Sequence, residues 1–190
     1  MNFYVLAPIV SVVLVYLARM VELGKRRDTI RGRVRESVTL RLFMLAGTLM
    51  VVGSIIEFLY MHSRLHWPSF LCGCFLALLS FMLRRKAIAA LGKFWSLHVE
   101  IRENHVFVRS GPFRFIRHPT YFSMILELLS IRFMLNASIT LGVAALIFIP
   151  ALIMRISLEE SALVEKFGAA YMAYQKEVPA LIPYKWPATT

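Results

Sequence analysis

The sequence predicts an all-α integral membrane protein of about five spanning helices, and three observations carry that prediction. Of the 190 residues, 58% are hydrophobic, above the roughly 45–50% of soluble domains, and the mean hydropathy is +0.65. The apolar residues fall in blocks of about 20, the length a helix needs to cross a hydrocarbon core. Arginine and lysine collect mostly between those blocks rather than within them. The length suits one domain. Hydropathy divides it into helices one to three with a basic loop (1–91), then a linker, a helical hairpin and a C-terminal helix (92–190).

Phe3 to Leu23 is the first span. It lacks a basic leading region and a small-residue cleavage site, so it reads as a helix rather than a signal peptide. Lys25, Arg26, Arg27, Arg31, Arg33 and Arg35 follow, diluted by Asp28 and Glu36. Leu40 to Met61 is the second span. Glu57 within it either snorkels to the interface or faces protein. His62 to Trp67 forms a short turn, and Pro68 starts a third span ending at Leu83. Arg84, Arg85 and Lys86 mark its exit, with Ala87 to Leu91 continuing the helix. Hydropathy then drops as far as Arg117. Around Val99–Arg102 and His105–Val108 the pattern alternates weakly, as extended chain does. Pro119 to Leu135 is the fourth span, and the Asn136–Ser138 turn folds the fifth, Ile139 to Ser157, back against it. Pro150 is expected to kink that span. Leu158 to Gln175 is amphipathic and reads as a separate helix leaving the membrane. Cys72 and Cys74 occupy different faces of one apolar run with no ligand set nearby. They read as small core residues, and no metal is expected.

Charge sets the orientation. The segments after spans one and three are strongly basic, the loop after span two carries only Arg64, and the turn after span four carries no basic residue. The positive-inside rule puts the amino terminus outside and the carboxy terminus in the cytoplasm. The net charge of +11 and a sequence pI near 10.2 then reflect cytoplasmic loops facing anionic lipid. No nucleic-acid partner is expected, since no RNA-binding or helix-turn-helix signature accompanies the charge.

Two polar clusters fall at the ends of apolar spans on that side. One is Gly111-Pro112-Phe113-Arg114-Phe115-Ile116-Arg117-His118-Pro119-Thr120-Tyr121 and the other is Arg155-Ile156-Ser157-Leu158-Glu159-Glu160. Unpaired charge at such depths is costly, so these groups need partners or a task. His118 precedes a proline, which places it at a helix N-cap. A helix start suits an anion such as a carboxylate, though a plain cap fits the local sequence equally. Arg155 and Glu159 share a helix face, as a simple i,i+4 ion pair or as ligand-binding groups. An arginine suits bidentate carboxylate binding, and an acid suits a cationic or hydroxyl-rich ligand. Trp95 reads as an interfacial anchor, His98 and His105 as structural or solvated, Tyr171 and Tyr174 as helix packing, and Gly111-Pro112 as a turn.

These two clusters, followed by Phe167-Gly168, Tyr171, Tyr174 and Val178-Pro179, resemble the isoprenylcysteine carboxyl methyltransferase family. The likeness covers about Trp95 to Pro183; the first half matches only as apolar helices. Phospholipid N-methyltransferases share a similar Arg-His-Pro and Glu-Glu layout, and some membrane sterol reductases the broader architecture. The resemblance implies an S-adenosylmethionine-dependent membrane methyltransferase whose cofactor pocket is cytosolic and built by the C-terminal half. It implies that His98, His105, Val106, Phe107, Val108, Phe113, His118, Pro119, Thr120, Tyr121 and Glu159 bind the cofactor. Arg155 is implied to be the catalytic residue that also binds substrate, holding its carboxylate. Relatives often carry an amide at the position of His98 and a tyrosine at that of Phe113.

The implied acceptor is lipophilic, most simply a prenylated cysteine carboxylate that enters laterally from the membrane lipids. A phospholipid amine and a phenolic or polyketide lipid are alternative acceptors. A non-catalytic membrane scaffold is the reading from another class, and a nicotinamide-dependent membrane reductase a further one.

Overall fold

A small-residue seam joins the two helices at the centre of the molecule. In this computed structural model, which describes residues 3–24, 33–34, 38–61, 64–92, 95, 100–101 and 108–184, α3 (Trp67–Leu91) and α4 (Pro119–Leu135) pack more extensively than any other pair. A Cβ built on Gly73 would lie 2.7 Å from the Ser130 carbonyl oxygen and 2.8 Å from the Met134 nitrogen, so only glycine allows this backbone approach. Ser80 Oγ donates to the Ser123 carbonyl at 2.7 Å, and Ser69 Oγ reaches the Phe133 carbonyl at 2.7 Å. Small residues and interhelical hydrogen bonds are what hold helices together when apolar burial gives no advantage over lipid.

The remaining helices are α1 (Phe3–Gly24), α2 (Val38–Tyr60), α5 (Ser138–Phe167) and α6 (Ala169–Glu177). Asn136 adopts the left-handed conformation, φ +53°, at the end of α4 and turns the chain into α5. Helix α2 packs along α5. Glu57 settles between its two readings by facing protein: Oε1 accepts from the Ile139 N–H at 3.1 Å, and Oε2 from the Thr140 N–H and hydroxyl, both at 2.7 Å. It therefore caps α5 from a neighbouring helix, satisfying N–H groups that have no partner within α5. The core between α2, α4 and α5 contains Phe43, Met50, Phe58, Leu135, Phe148 and Ala151. Leu14, Val21, Ile56, Leu71, Phe75 and Leu146 are exposed large apolar side chains, a surface matched to acyl chains.

Among the described residues, four helices, α1, α2, α3 and α5, are long and apolar enough to cross a membrane. The architecture is an integral membrane bundle with one short antiparallel β-pairing, β1 (Arg33–Val34) with β2 (Glu100–Ile101), in register Arg33↔Ile101. The extended reading near Val99–Arg102 meets β2; that near His105–Val108 falls largely outside the described residues.

One helix boundary and one residue assignment differ from expectation. Helix α5 does not stop at Ser157 but runs 30 residues to Phe167, through Pro150. The break comes at Gly168, φ +54°, a conformation L residues rarely adopt. The expected emerging helix is therefore the last part of α5 plus α6. Helix α4 keeps the expected bounds, Pro119–Leu135; at 17 residues, with Glu127 and Arg132 within it, it is shorter than the four candidate spans. Cys74 packs against the core, but Cys72 is exposed on the outer face and is not a core residue.

Candidate functional site

Helical periodicity lines one internal cavity of about 240 Å³ with six elements. Helix α4 presents Thr120, Tyr121, Met124, Glu127, Leu128 and Ile131 along one stripe, the 3.6-residue spacing of a single face. Helices α1 and α2 add Tyr16, Met20, Phe43, Met44 and Val51. This part of the cavity is therefore mostly apolar, with Arg19, Arg84 and Glu127 set among the apolar side chains. The other end meets the start of α4, the last turns of α5, and α6.

The polar end is built on the start of α4. Gly111, φ +61°, opens a single 3₁₀ turn, Gly111–Arg114, that delivers the chain to His118. His118 is the N-cap and Pro119 the first helical residue, as the sequence predicts. Its ring makes no cap bond. Instead Nε2 meets Glu160 Oε1 at 2.9 Å, Nδ1 lies 3.8 Å from Glu159, and the ring stacks on Tyr121 at 5.5 Å. The Arg117 and His118 N–H groups donate to the Pro179 and Ala180 carbonyls, both at 2.9 Å. The C-terminal segment is thereby strapped along the N-cap.

Glu159 and Glu160 are adjacent but do different work. Glu160 is enclosed by Arg117 Nε at 2.8 Å, His118 and the Gln175 side-chain amide at 2.9 Å. It does not line the cavity. Glu159 does, and its side chain is 36% exposed against 17% for Glu160. The Tyr121 hydroxyl donates to Glu159 Oε2 at 2.6 Å and accepts from Arg155 Nε at 3.1 Å. Arg155 is buried, and its Nη1 donates to Thr39 Oγ1 at 3.1 Å. A polar chain thus runs from buried Thr39 through Arg155 and Tyr121 to Glu159, the last three lining the cavity.

Tyr171 and Tyr174 close the site from α6, both buried and both lining the cavity. Tyr174 donates to the Phe113 carbonyl at 2.6 Å, beneath the Arg109 guanidinium 5.1 Å from its ring. Burial raises the Tyr174 hydroxyl to about 12, with Arg117 and Arg109 opposing the rise. Burial, followed by Glu160 and Glu159, lifts Tyr171 further. Both rings are neutral at physiological pH.

The structure brings Val108, Phe113, His118, Thr120, Tyr121, Arg155 and Glu159 around one cavity. Pro119 is buried beside it without lining it. His98, His105, Val106 and Phe107 lie outside the described residues. Trp95, expected as a membrane anchor, contributes to the cavity wall. Sequence reading did not find Thr39, which carries no local motif, nor a second charged group formed by Arg19, Arg84 and Glu127 on the same wall. The signal for the latter is charge recurring within otherwise apolar helices.

Residues 71–165 match the isoprenylcysteine carboxyl methyltransferase (ICMT) family. Protein-S-isoprenylcysteine O-methyltransferase B of Arabidopsis thaliana is 28% identical over 145 residues, covering 75% of this chain and 73% of that protein. The protein-S-isoprenylcysteine O-methyltransferase of Schizosaccharomyces pombe is 31% identical over 103 residues, 53% of this chain and 44% of the relative. Among solved structures, the eukaryotic intramembrane Ras methyltransferase ICMT superposes with a TM-score of 0.62 at 27% identity. The match covers 72% of this chain and 52% of that one, so the chain spans about half the length of the solved relative. The family match extends over half the sequence, and the fold and the order of the polar clusters agree with it: the chain belongs to the isoprenylcysteine carboxyl methyltransferase family and is a membrane methyltransferase.

Proposed function

We propose that this chain transfers a methyl group from S-adenosylmethionine to a lipophilic acceptor, with the carboxylate of an isoprenylcysteine-type substrate as the acceptor that family membership favours. The observation that carries the reading is a cavity with a polar end at Tyr121, Arg155 and Glu159 that continues between α1, α2 and α4 along a mostly apolar wall. Such a cavity suits a polar cofactor and the tail of an amphiphile together.

The residues present fit that cofactor. Glu159 is the acid of the pair that faces the cavity, able to accept from ribose hydroxyls or an ammonium group. Phe113, Tyr171 and Tyr174 supply ring surface for an adenine and for cationic sulfur. Val108, His118, Thr120 and Tyr121 complete the wall, with Pro119 fixing the start of α4; His98, His105, Val106 and Phe107 join them on the family resemblance. When bound, the cofactor supplies a methyl group on sulfonium sulfur that is already electrophilic.

The chain's own residues then hold the acceptor. Arg155, the proposed catalytic and substrate-binding residue, orients the acceptor carboxylate. Tyr121 fixes the spacing between Arg155 and Glu159 through its two hydrogen bonds. A carboxylate is ionised at neutral pH, so no general base is needed. Alignment and exclusion of water by the aromatic wall are the protein's main contributions, and such positioning supplies up to about 7–11 kcal/mol in ideal cases.

Three geometric points complete the proposal. Helix α4, about 25 Å long at 1.5 Å per residue, makes a fifth pass. The basic segments place the amino terminus outside, and the carboxy terminus and polar site in the cytoplasm, where soluble cofactor is available. The acceptor arrives laterally from lipid.

Calorimetry of S-adenosylmethionine with the purified protein in detergent tests the reading. Saturable binding that Glu159→Ala abolishes is expected, together with loss of methyl transfer but retained cofactor binding in Arg155→Ala. Absence of binding by folded wild-type protein rejects the function and the site together.

A further inference from the structure

The cavity wall holds a second polar station that methyl transfer does not use. Arg84 of α3 donates from Nε to Glu22 Oε2 of α1 at 2.5 Å and from Nη1 to Glu127 Oε2 of α4 at 2.6 Å. Arg19 of α1 lies 3.5 Å from Glu22 Oε2 and 4.0 Å from Glu127 Oε2. The four side chains are 6–16% exposed. Arg19, Arg84 and Glu127 line the cavity, among Met20, Met124 and Ile131.

The arrangement is unequal in a way that points to a ligand. Arg84 takes the Oε2 atoms of both acids in short bonds, whereas Arg19 reaches the same two atoms only at distances too long for good hydrogen bonds. A guanidinium carries five N–H donors, and Arg19 turns toward the cavity with its hydrogen-bonding capacity poorly used. A hydrocarbon tail laid on this wall would strip water from Arg19 and Glu127 and offer no replacement, which is costly. The two guanidiniums and two carboxylates balance, so an added anion meets two acids and an added cation two bases. A neutral group that both donates and accepts meets neither penalty.

The spacing is set by α4. Glu127 and Tyr121 share its lining stripe six residues apart, which is about 9 Å of helix rise. We infer that the cavity takes an amphiphile whose apolar body carries a neutral hydrogen-bonding group, a hydroxyl or carbonyl, about 10 Å from the methylated group, held by Arg19 and Glu127. This rests on the methyltransferase reading of the cavity and, among lipophilic acceptors, points away from a plain prenyl chain, which carries no such group, toward a lipid with a hydroxyl or carbonyl on its apolar body. Arg19 and Glu127 are specificity-determining residues; neither touches the reacting atoms.

The test is equilibrium binding of octadecanoate and of 10-hydroxyoctadecanoate to the purified full chain in detergent, each corrected for partition into protein-free micelles. The wild-type protein should bind the hydroxylated acid about tenfold more tightly, the worth of one hydrogen bond to a charged group. Arg19→Gln and Glu127→Gln should bring the ratio toward one. Should either variant fail to fold, the wild-type ratio decides alone: equal affinity, preference for the plain acid, or binding of neither overturns the inference. S-adenosylmethionine binding by the same preparation reports separately on the methyl-transfer reading.

Discussion

The Tyr121 hydroxyl bridges Arg155 and Glu159, accepting from the first at 3.1 Å and donating to the second at 2.6 Å. One phenol on α4 thus fixes two ionisable groups on α5 that are a helical turn apart. The acid and the base of the candidate site are positioned by a residue from the opposite helix.

Tyr121→Phe keeps the ring and its stacking on His118 but removes both bonds. Each hydrogen bond to a charged group is worth about 1.5–3 kcal/mol, so kcat/KM should fall on the order of tenfold to a hundredfold. The melting temperature in detergent should fall as well, because the same two bonds tie α4 to α5. Full activity in the variant would show that the bridge is incidental.

Glu57→Ala should weaken the bundle without altering the polar end. It removes the side-chain cap of α5, worth about 0.5–2 kcal/mol. Denaturant titration in mixed micelles measures the loss. Cofactor affinity should stay at the wild-type value, because Glu57 lies at the opposite end of α5 from Glu159.

Gly73→Val should separate α3 from α4. The new Cβ meets the Ser130 carbonyl and the Met134 backbone nitrogen, atoms that cannot swing aside. Overpacking of this kind costs about 1–3 kcal/mol, and because α4 carries the lining stripe, activity should fall with stability. A variant as stable as wild type would mean that the interface repacks freely.

Alkaline unfolding should report on α6. The folded Tyr174 titrates near 12 against an ordinary value of 10.0. A raised folded value means that its stabilising contribution is complete below pH about 10 and is lost as pH climbs toward about 12. Tyrosinate absorbance should therefore rise together with loss of helical signal in that window. Tyr174→Phe should soften the alkaline step while lowering stability at neutral pH through the lost bond to the Phe113 carbonyl.

What the sequence discloses divides along physical lines. Apolar blocks and the His118-Pro119 junction are local signals, so helix starts, the N-cap and the α4–α5 turn are legible in it. The end of α5 is not, because a charged amphipathic stretch after Ser157 looks the same whether it continues a helix or begins another. Only the conformation of Gly168 separates the cases. Local sequence does not choose between lipid interface and protein for Glu57, because its partners are 82 and 83 residues away. Thr39 and the Arg19–Glu127 wall are invisible for the same reason: their meaning comes from packing between helices distant in sequence.

The strap of Pro179 and Ala180 against Arg117 and His118 gives the molecule an order of events. The spanning helices can partition into lipid one after another as they leave the ribosome, each driven by its own apolar surface. The wall formed by α6 and the backbone bonds at the N-cap wait for residues that are translated after α1 to α5. A nascent chain halted before residue 179 would sit in the membrane with α1 to α5 in place and the N-cap of α4 without its strap. Insertion and competence are therefore separate milestones in the life of this protein, and the second is reached only when translation has passed the strap.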